Sequence, residues 1–204
     1  GVPNLSLDLF SLKYSSSNQS MLPSIINTVY LTALTLLLSV PIGIFSAIYL
    51  AEYSRKNSFF VKIINIANET LSGIPSIVYG LFGFLAFVIS KKWGYSLLAG
   101  VITLAIMVLP LIIRTSQEAM LGVDNTFREA SYGLGAGKLR TVFKIVLPSA
   151  MPGILSGIIL AIGRIVGETA ALIYTAGTVP EAATKLTSSS VSYTHLTLPT
   201  ICSV

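Results

Sequence analysis

The stretch Pro152–Tyr174, with the sequence PGILSGIILAIGRIVGETAALIY, sets the architecture because it is long and apolar enough to cross a bilayer. A transmembrane helix needs about 20 mainly apolar residues, since each residue rises 1.5 Å and the hydrocarbon core is about 30 Å thick. Three more stretches meet this condition, Leu22–Leu50, Leu71–Ile89 and Ser96–Ile113. The sequence therefore predicts an all-α polytopic membrane helical bundle with four spans.

The composition supports a membrane protein and excludes several function classes. Hydrophobic residues make up 53% of the 204 residues and charged residues only 10%, against about 25% charged in an average soluble domain. The net charge of +5 is spread over loops, so we expect no nucleic-acid partner. The one cysteine, Cys202, and the one histidine, His195, lie in the last ten residues. We therefore expect no metal, no cofactor and no cysteine or histidine nucleophile in the body.

The basic residues predict the orientation of the chain, because cytoplasmic loops retain Lys and Arg. The segments 52–69 and 114–148 hold eight of them: Arg55, Lys56, Lys62, Arg114, Arg128, Lys138, Arg140 and Lys144. Only four, Lys13, Lys91, Lys92 and Lys185, lie on the other side of the predicted membrane. We therefore expect loop 114–148 to be cytoplasmic and the plasma membrane to hold the chain as a multi-pass protein.

Loop 114–148 contains apolar residues at helical spacing, so it is predicted to form two short helices separated by the glycines at 133, 135 and 137. Its segment GLGAGK resembles a phosphate-binding loop. A Walker A loop requires Gly where Tyr132 stands and Ser or Thr where Leu139 stands. The sequence therefore contains no recognisable ATPase site, and the chain is not expected to be an enzyme by itself.

The sharpest local feature is a pair of charges inside the predicted fourth span. Arg164 is predicted near mid-bilayer, and Glu168 one turn further on the same helix face. Charges at a span centre are costly, at roughly 2.5–3.5 kcal/mol on insertion scales, so they are rare and face the bundle interior. The pair is either an intrahelical salt bridge or part of a translocation path, and we favour the path. An arginine suits an oxyanion because its planar fork matches phosphate oxygens.

Small residues on the same predicted helix indicate close packing. Two stripes with a spacing of four residues are present, Gly153, Gly157, Ala161 and Gly163, Gly167, Ala171. Small residues let neighbouring helices approach closely in lipid. We therefore expect this helix at the centre of the bundle.

Residues 129–148, EASYGLGAGKLRTVFKIVLP, resemble the coupling-loop signature of ABC importer permeases, which reads EAA, three residues, G, nine residues, I-x-LP. Ser131 replaces the second alanine. Further stretches resemble the phosphate-specific Pst permeases, of the PstA type more than the PstC type: YLAEY (49–53), GIPSIVYGLFG (73–83), PLIIRT (110–115) and GETAALIYTA (167–176).

The resemblance implies a type I ABC importer transmembrane domain that conducts phosphate. It implies three partners: a PstC-type second permease subunit, a cytoplasmic ATPase dimer and an extracytoplasmic phosphate-binding protein. By resemblance, Arg164 and Glu168 belong to the substrate path, and Glu129, Ala130 and Gly135 to the ATPase-coupling element. Members have six spans, so the first and last are expected to be missing here.

Three regions are predicted along the chain: an extracytoplasmic loop at 1–21, a partial permease domain at 22–186 and a tail at 187–204. The tail is rich in Ser and Thr without a helical apolar face. It is either an extracellular loop or a foreign, non-native segment, and we favour the second.

Three other functions stay open. The first is a permease for another oxyanion, sulfate or molybdate, since an arginine suits any of them. The second is a transporter or channel that needs no ATPase, against which the coupling signature argues. The third is a membrane scaffold without transport, against which the charges at 164 and 168 argue.

Overall fold

The computed structural model describes residues 22–54, 59–91, 95–168 and 170–176, and over these ranges it contains helices and turns without strands. The all-α prediction is therefore confirmed. The predicted loop 1–21 and tail 187–204 lie outside the described residues, and both assignments stay predictions.

Eight α-helices follow one another along the described residues. They are α1 (Leu22–Ile48), α2 (Phe59–Ser72), α3 (Ser76–Gly83), α4 (Leu97–Leu121), α5 (Asn125–Gly133), α6 (Lys138–Thr141), α7 (Leu147–Val166) and α8 (Ala170–Thr175). Three π-helical turns extend them without a break: Tyr49–Tyr53 after α1, Phe84–Ser90 after α3 and Val142–Val146 between α6 and α7.

Three described helices are long and apolar enough to cross a membrane, Ile25–Tyr53, Leu97–Leu121 and Lys138–Val166. A fourth crossing is present if α2 and the helix Ser76–Ser90, which are joined by a sharp bend, count as one broken span. The predicted second span, Leu71–Ile89, is thus wrong as one continuous helix. Pro75 lacks a backbone N–H and disfavours the helical conformation for the residue before it, which accounts for the break.

The predicted fourth span, Pro152–Tyr174, is also wrong in its bounds. Its helix already begins at Lys138, so the predicted second short helix of the loop is in fact the first part of the span. The helix ends at Val166, and the turn at Gly167 separates it from α8. Glycine lowers helix stability because it loses the most backbone freedom on folding, and it is common where helices end.

The described residues divide into two compact units. Unit 1 contains residues 22–35, 75–105 and 165–176, with the gaps given above. In this unit α3 packs against α8. The Ser96 backbone N–H donates to the Thr175 carbonyl over 3.2 Å, which fixes the start of α4 to the end of α8.

Unit 2 contains residues 36–74 and 106–164. Its core joins the ends of α1 and α4 to the first half of the helix 138–166 through the buried residues Ala47, Ile48, Met120, Val142, Val146, Ala150 and Ile154. A smaller cluster, Leu50, Val61 and Ile113, adds α2.

One predicted stripe of small residues is confirmed as a packing surface. A Cβ atom at Gly153 would lie 2.7 Å from the Cβ of Ala119, and one at Gly157 would collide with the side chain of Thr115. The helix α7 therefore packs directly on α4. The second stripe is not continuous, because a Cβ at Gly163 would have no described atom within 4 Å.

Candidate functional site

The helix α5 and the turn after it form an exposed surface on unit 2, which we call the docking loop (residues 125–141). Glu129 and Ala130 are exposed, and so is Gly135 in the turn. Large apolar side chains share this exposure, with Leu134 at 90% and Leu139 at 65%. The residues predicted to couple to an ATPase thus lie together on one accessible surface.

The opposite side of α5 is bound tightly to the rest of unit 2 through Arg128. Its Nε and Nη2 atoms donate to Oε1 of Glu52 over 3.0 and 2.7 Å. Its Nη1 atom donates to the Val123 carbonyl over 2.7 Å, and Nη2 to the Met120 carbonyl over 2.8 Å. The side chains of Arg128 and Glu52 are only 13% and 7% exposed. This guanidinium therefore ties α5 to the ends of α1 and α4.

Two further contacts hold the docking loop in place. The Ser131 and Thr141 hydroxyls share a buried hydrogen bond of 2.8 Å, which joins α5 to α6. The Lys138 ammonium lies 4.9 Å from the ring centre of Tyr53, within the range of a cation–π contact. Ser131, which departs from the coupling signature, thus uses its hydroxyl inside the loop.

Residues next to α5 in the sequence define both of its ends. The Asp124 carboxylate accepts hydrogen bonds from the Thr126 N–H at 2.9 Å and the Thr126 hydroxyl at 2.8 Å, which caps the helix. These bonds hold the pKa of Asp124 below its ordinary value of 3.8, the backbone bond being the larger cause. At the other end, Gly135 has φ +78°, a left-handed conformation that side chains with a Cβ disfavour.

Arg164 lies away from the docking loop, in an open groove of about 560 Å³ on unit 2. The groove is otherwise lined by Leu111, Ser156, Ile159, Leu160 and Gly163. Arg164 is half-buried, and among the described residues it makes no hydrogen bond or ion pair. Its donors are therefore available in an apolar surrounding.

The predicted placement of Arg164 and Glu168 on one helix face is wrong. Arg164 lies in the last turn of α7, which ends at Val166, and not in the middle of a span. A cation in the last turn interacts favourably with the negative end of the helix dipole.

Glu168 follows the end of α7, and in unit 1 it caps the start of α8. Its Oε1 atom accepts from the Ala171 N–H over 3.1 Å, and the residue is 8% exposed. A carboxylate is favourable at this end of a helix because the dipole is positive there.

Sequence reasoning missed the importance of Glu52 and Arg128. Glu52 follows a long apolar run, and Arg128 directly precedes the signature Glu129. An isolated charge at the end of an apolar span was the available signal. Their pairing could not be read from it, because 76 positions separate the two residues.

Comparison with known proteins identifies relatives across most of the chain. Residues 39–201 match the family described as the binding-protein-dependent transport system inner membrane component. The matched range reaches into the segment 187–204, whose foreign origin stays a prediction.

Curated relatives include the Probable ABC transporter permease protein YqgI of Bacillus subtilis, which is 37% identical over 87% of this chain. The phosphate transport system permease protein PstA of Haemophilus influenzae is 38% identical over 86%, and PstA 2 of Mycobacterium bovis is 41% identical over 86%. The match covers 60%, 62% and 58% of these three relatives, so the chain spans about six tenths of their length.

The fold is also found in a solved structure, an inward-facing conformation of the MetNI methionine ABC transporter. The match has a TM-score of 0.58 and 19% identity, and it covers 88% of this chain and 86% of that one. The type I importer fold is therefore confirmed, and the apolar helices agree with a multi-pass protein of the plasma membrane. From the match to its family model and the relatives at 37–41% identity, the chain belongs to the inner membrane components of binding-protein-dependent transport systems.

Proposed function

We propose that the chain is part of a permease subunit of an ATP-driven phosphate importer. One observation carries the proposal: the loop with the coupling signature presents Glu129 and Ala130 outward, while Arg128 on its inner side is bonded to the ends of two helices, α1 and α4. A loop whose outer side is exposed and whose inner side is firmly bonded to the helices suits a partner that exerts force on it. An ATPase that closes on ATP binding is such a partner.

Phosphate is the substrate we propose, since relatives at 38–41% identity are named phosphate transport permeases. The Arg164 guanidinium supplies five N–H donors in a planar fork, which matches phosphate oxygens. It lies in an apolar groove, where electrostatic attraction to an anion is stronger than in water. Arg164 is the residue we assign to the substrate path, and Glu168 is assigned to the same path as its second charge.

The proposed partners follow from the same reading. A cytoplasmic ATPase dimer binds the docking loop and supplies the energy, because the chain is proposed to have no ATPase site of its own. A PstC-type permease subunit covers the groove of Arg164, since lipid would leave that charge unpaired. An extracytoplasmic phosphate-binding protein delivers the substrate. Loop 114–148 then faces the cytoplasm.

The test is uptake of radiolabelled phosphate by cells that express the full-length protein with its neighbouring subunits. Arg164→Gln removes uptake at unchanged expression, because glutamine keeps hydrogen bonding and loses the charge. Arg164→Lys restores it in part, since lysine is a point charge without the fork. Arg114→Gln, which changes another arginine of a spanning helix, is the matched control and retains uptake. Normal uptake by Arg164→Gln would refute the path role.

A permease for sulfate or molybdate is the second candidate, because the fork of Arg164 fits any tetrahedral oxyanion. Competition separates the two candidates in the same cells. Excess unlabelled phosphate, but not sulfate or molybdate, abolishes the uptake of label if the proposal holds. Strong competition by sulfate or molybdate would favour the second candidate.

A further inference from the structure

We propose that the buried Glu52–Arg128 ion pair is the joint through which movement of the docking loop reaches the membrane helix α1. The inference rests on the proposed function, since it assumes a partner that moves the loop. It assigns a positioning role to Arg128, on the inner side of the docking loop, and to Glu52, and both residues lie outside the groove of Arg164.

The first argument is the complete use of the Arg128 donors. Every nitrogen of its guanidinium donates at least once, to Glu52, to the carbonyls of Met120 and Val123 and, at 3.2 Å, to the Asn125 side chain. Bonds in several directions prevent the side chain from swinging when α5 is displaced. A push on α5 is therefore transmitted to the groups that Arg128 holds.

The second argument is the location of Glu52. It lies in the π-helical turn Tyr49–Tyr53, which continues α1 without a break, so α1 and Glu52 belong to one helical rod of residues 25–53. Because no loop separates Glu52 from α1, a displacement of Glu52 passes directly into the part of this helix that belongs to unit 2. The ring of the adjacent Tyr53 contacts the ammonium group of Lys138, which lies in the other half of the docking loop. The same turn thus contacts both halves of the loop.

The third argument is a comparison with the second ion pair of the described residues, Arg114–Glu118. Both pairs have a contact of 3.0 Å or less. Arg114 and Glu118 are one helical turn apart in α4 and 51% and 64% exposed, so their bond joins nothing beyond one helix. The side chains of Arg128 and Glu52 are only 13% and 7% exposed, and their bond bridges 76 positions, which is what a joint between elements requires.

The experiment uses the full-length protein in its complete transporter, with its cysteines replaced by serine. A fluorophore is attached at Leu37→Cys on α1, a position that is 73% exposed. Three signals are recorded: the amount of ATPase that co-purifies, the fluorescence change in lipid nanodiscs on adding ATP with vanadate, and the phosphate transported per ATP hydrolysed in sealed lipid vesicles. The first reports docking and the second reports movement of α1.

Glu52→Gln keeps the acceptor oxygen and loses the charge, and Glu52→Ala removes the acceptor. We expect unchanged ATPase co-purification in both, a fluorescence change reduced about fivefold in Glu52→Gln and an absent change in Glu52→Ala. Phosphate transported per ATP hydrolysed falls in the same order. Glu118→Gln, the matched change in the exposed pair, leaves all three signals as in the wild type. Should Glu52→Ala fail to fold, Glu52→Gln still provides the test.

Two failures have different signatures. A full fluorescence change in Glu52→Gln, with ATPase bound, overturns the joint and leaves the proposed function intact. Loss of ATPase from Glu52→Gln also overturns it, because the pair would then serve docking. A wild-type protein that binds no ATPase refutes the proposed function, and the joint fails with it.

Discussion

Arg128 and Arg164 both lie in unit 2 and neither is fully exposed, yet their surroundings are opposite. Arg128 donates to a carboxylate and to two backbone carbonyls, one in the last turn of α4 and one in the turn that follows it. Arg164 lies in an apolar groove without a hydrogen bond to any described residue. All the donors of the first arginine are used within unit 2, whereas the second makes no such bond among the described residues. Residue type alone therefore does not show whether an arginine is bonded within the fold.

The largest expected difference between the two regions is in stability. Arg128→Ala leaves the buried Glu52 carboxylate unpaired, and breaking such a pair costs about 3–5 kcal/mol. Arg164→Ala removes no bond to a described residue and should change stability by less than about 0.5 kcal/mol. Unfolding of the purified full-length proteins in detergent, followed by thermal shift, measures both. Equal losses would show that the groove arginine is structural as well.

The next contrast is between the packed and open faces of α7. Gly157→Leu forces a side chain into Thr115 of α4, and such overpacking costs about 1–3 kcal/mol. Gly163→Leu points into open space and should be close to neutral in stability. The same thermal shifts provide the comparison, with expression level as a second readout. A neutral Gly157→Leu would mean that α4 and α7 do not touch in the folded protein.

A smaller effect is expected in the turn of the docking loop. Gly135→Ala places a Cβ at φ +78°, which costs roughly 1–2 kcal/mol. Gly133→Ala, in the last residue of α5, relieves the helix of a glycine and should gain about 0.5–1 kcal/mol. If denaturation shows that Gly135→Ala lowers the free energy of unfolding and Gly133→Ala raises it, the left-handed conformation of Gly135 is supported by stability measurements alone. A loss of similar size in both variants would contradict the left-handed assignment.

The smallest effect concerns the cap of α5. The lowered pKa of Asp124 means that its charged form stabilises the folded state. This contribution is present above the unfolded pKa and is lost as the pH falls through the lower, folded value. Asp124→Ala should therefore be less stable than the wild type at pH 7, with a difference that shrinks under strongly acidic conditions. Thermal shifts across the pH range test this, and a difference independent of pH would exclude the carboxylate as the cause.

Much of the architecture follows from local patterns in the chain. Apolar runs of about 20 residues must be helices in lipid, because every backbone polar group has to be satisfied within the segment. The stripe of Gly153 and Gly157 indicated close packing, and the contact with Thr115 bears it out. The register of the coupling signature located Glu129, Ala130 and Gly135, all of which are exposed.

The bounds of the helices depended on more than hydropathy. A span predicted from a run of apolar residues depends only on composition. The predicted spans therefore continued across Gly167 and across the bend before Pro75, although the backbone leaves the helix at both places. The prediction also separated Lys138–Val146 from the span that follows, although the helix is continuous there. These errors placed Arg164 at mid-span and joined it to Glu168 on one face.

The partners of the charges were settled by folding. Glu52 and Arg128 are distant in sequence, and their 2.7 Å contact exists only because the ends of α1, α4 and α5 meet in unit 2. Hydropathy and motif spacing are properties of neighbours along the chain, so they reveal spans and a signature. An ion pair is a property of neighbours in space, and three-dimensional packing alone shows which arginine is bonded and which remains available.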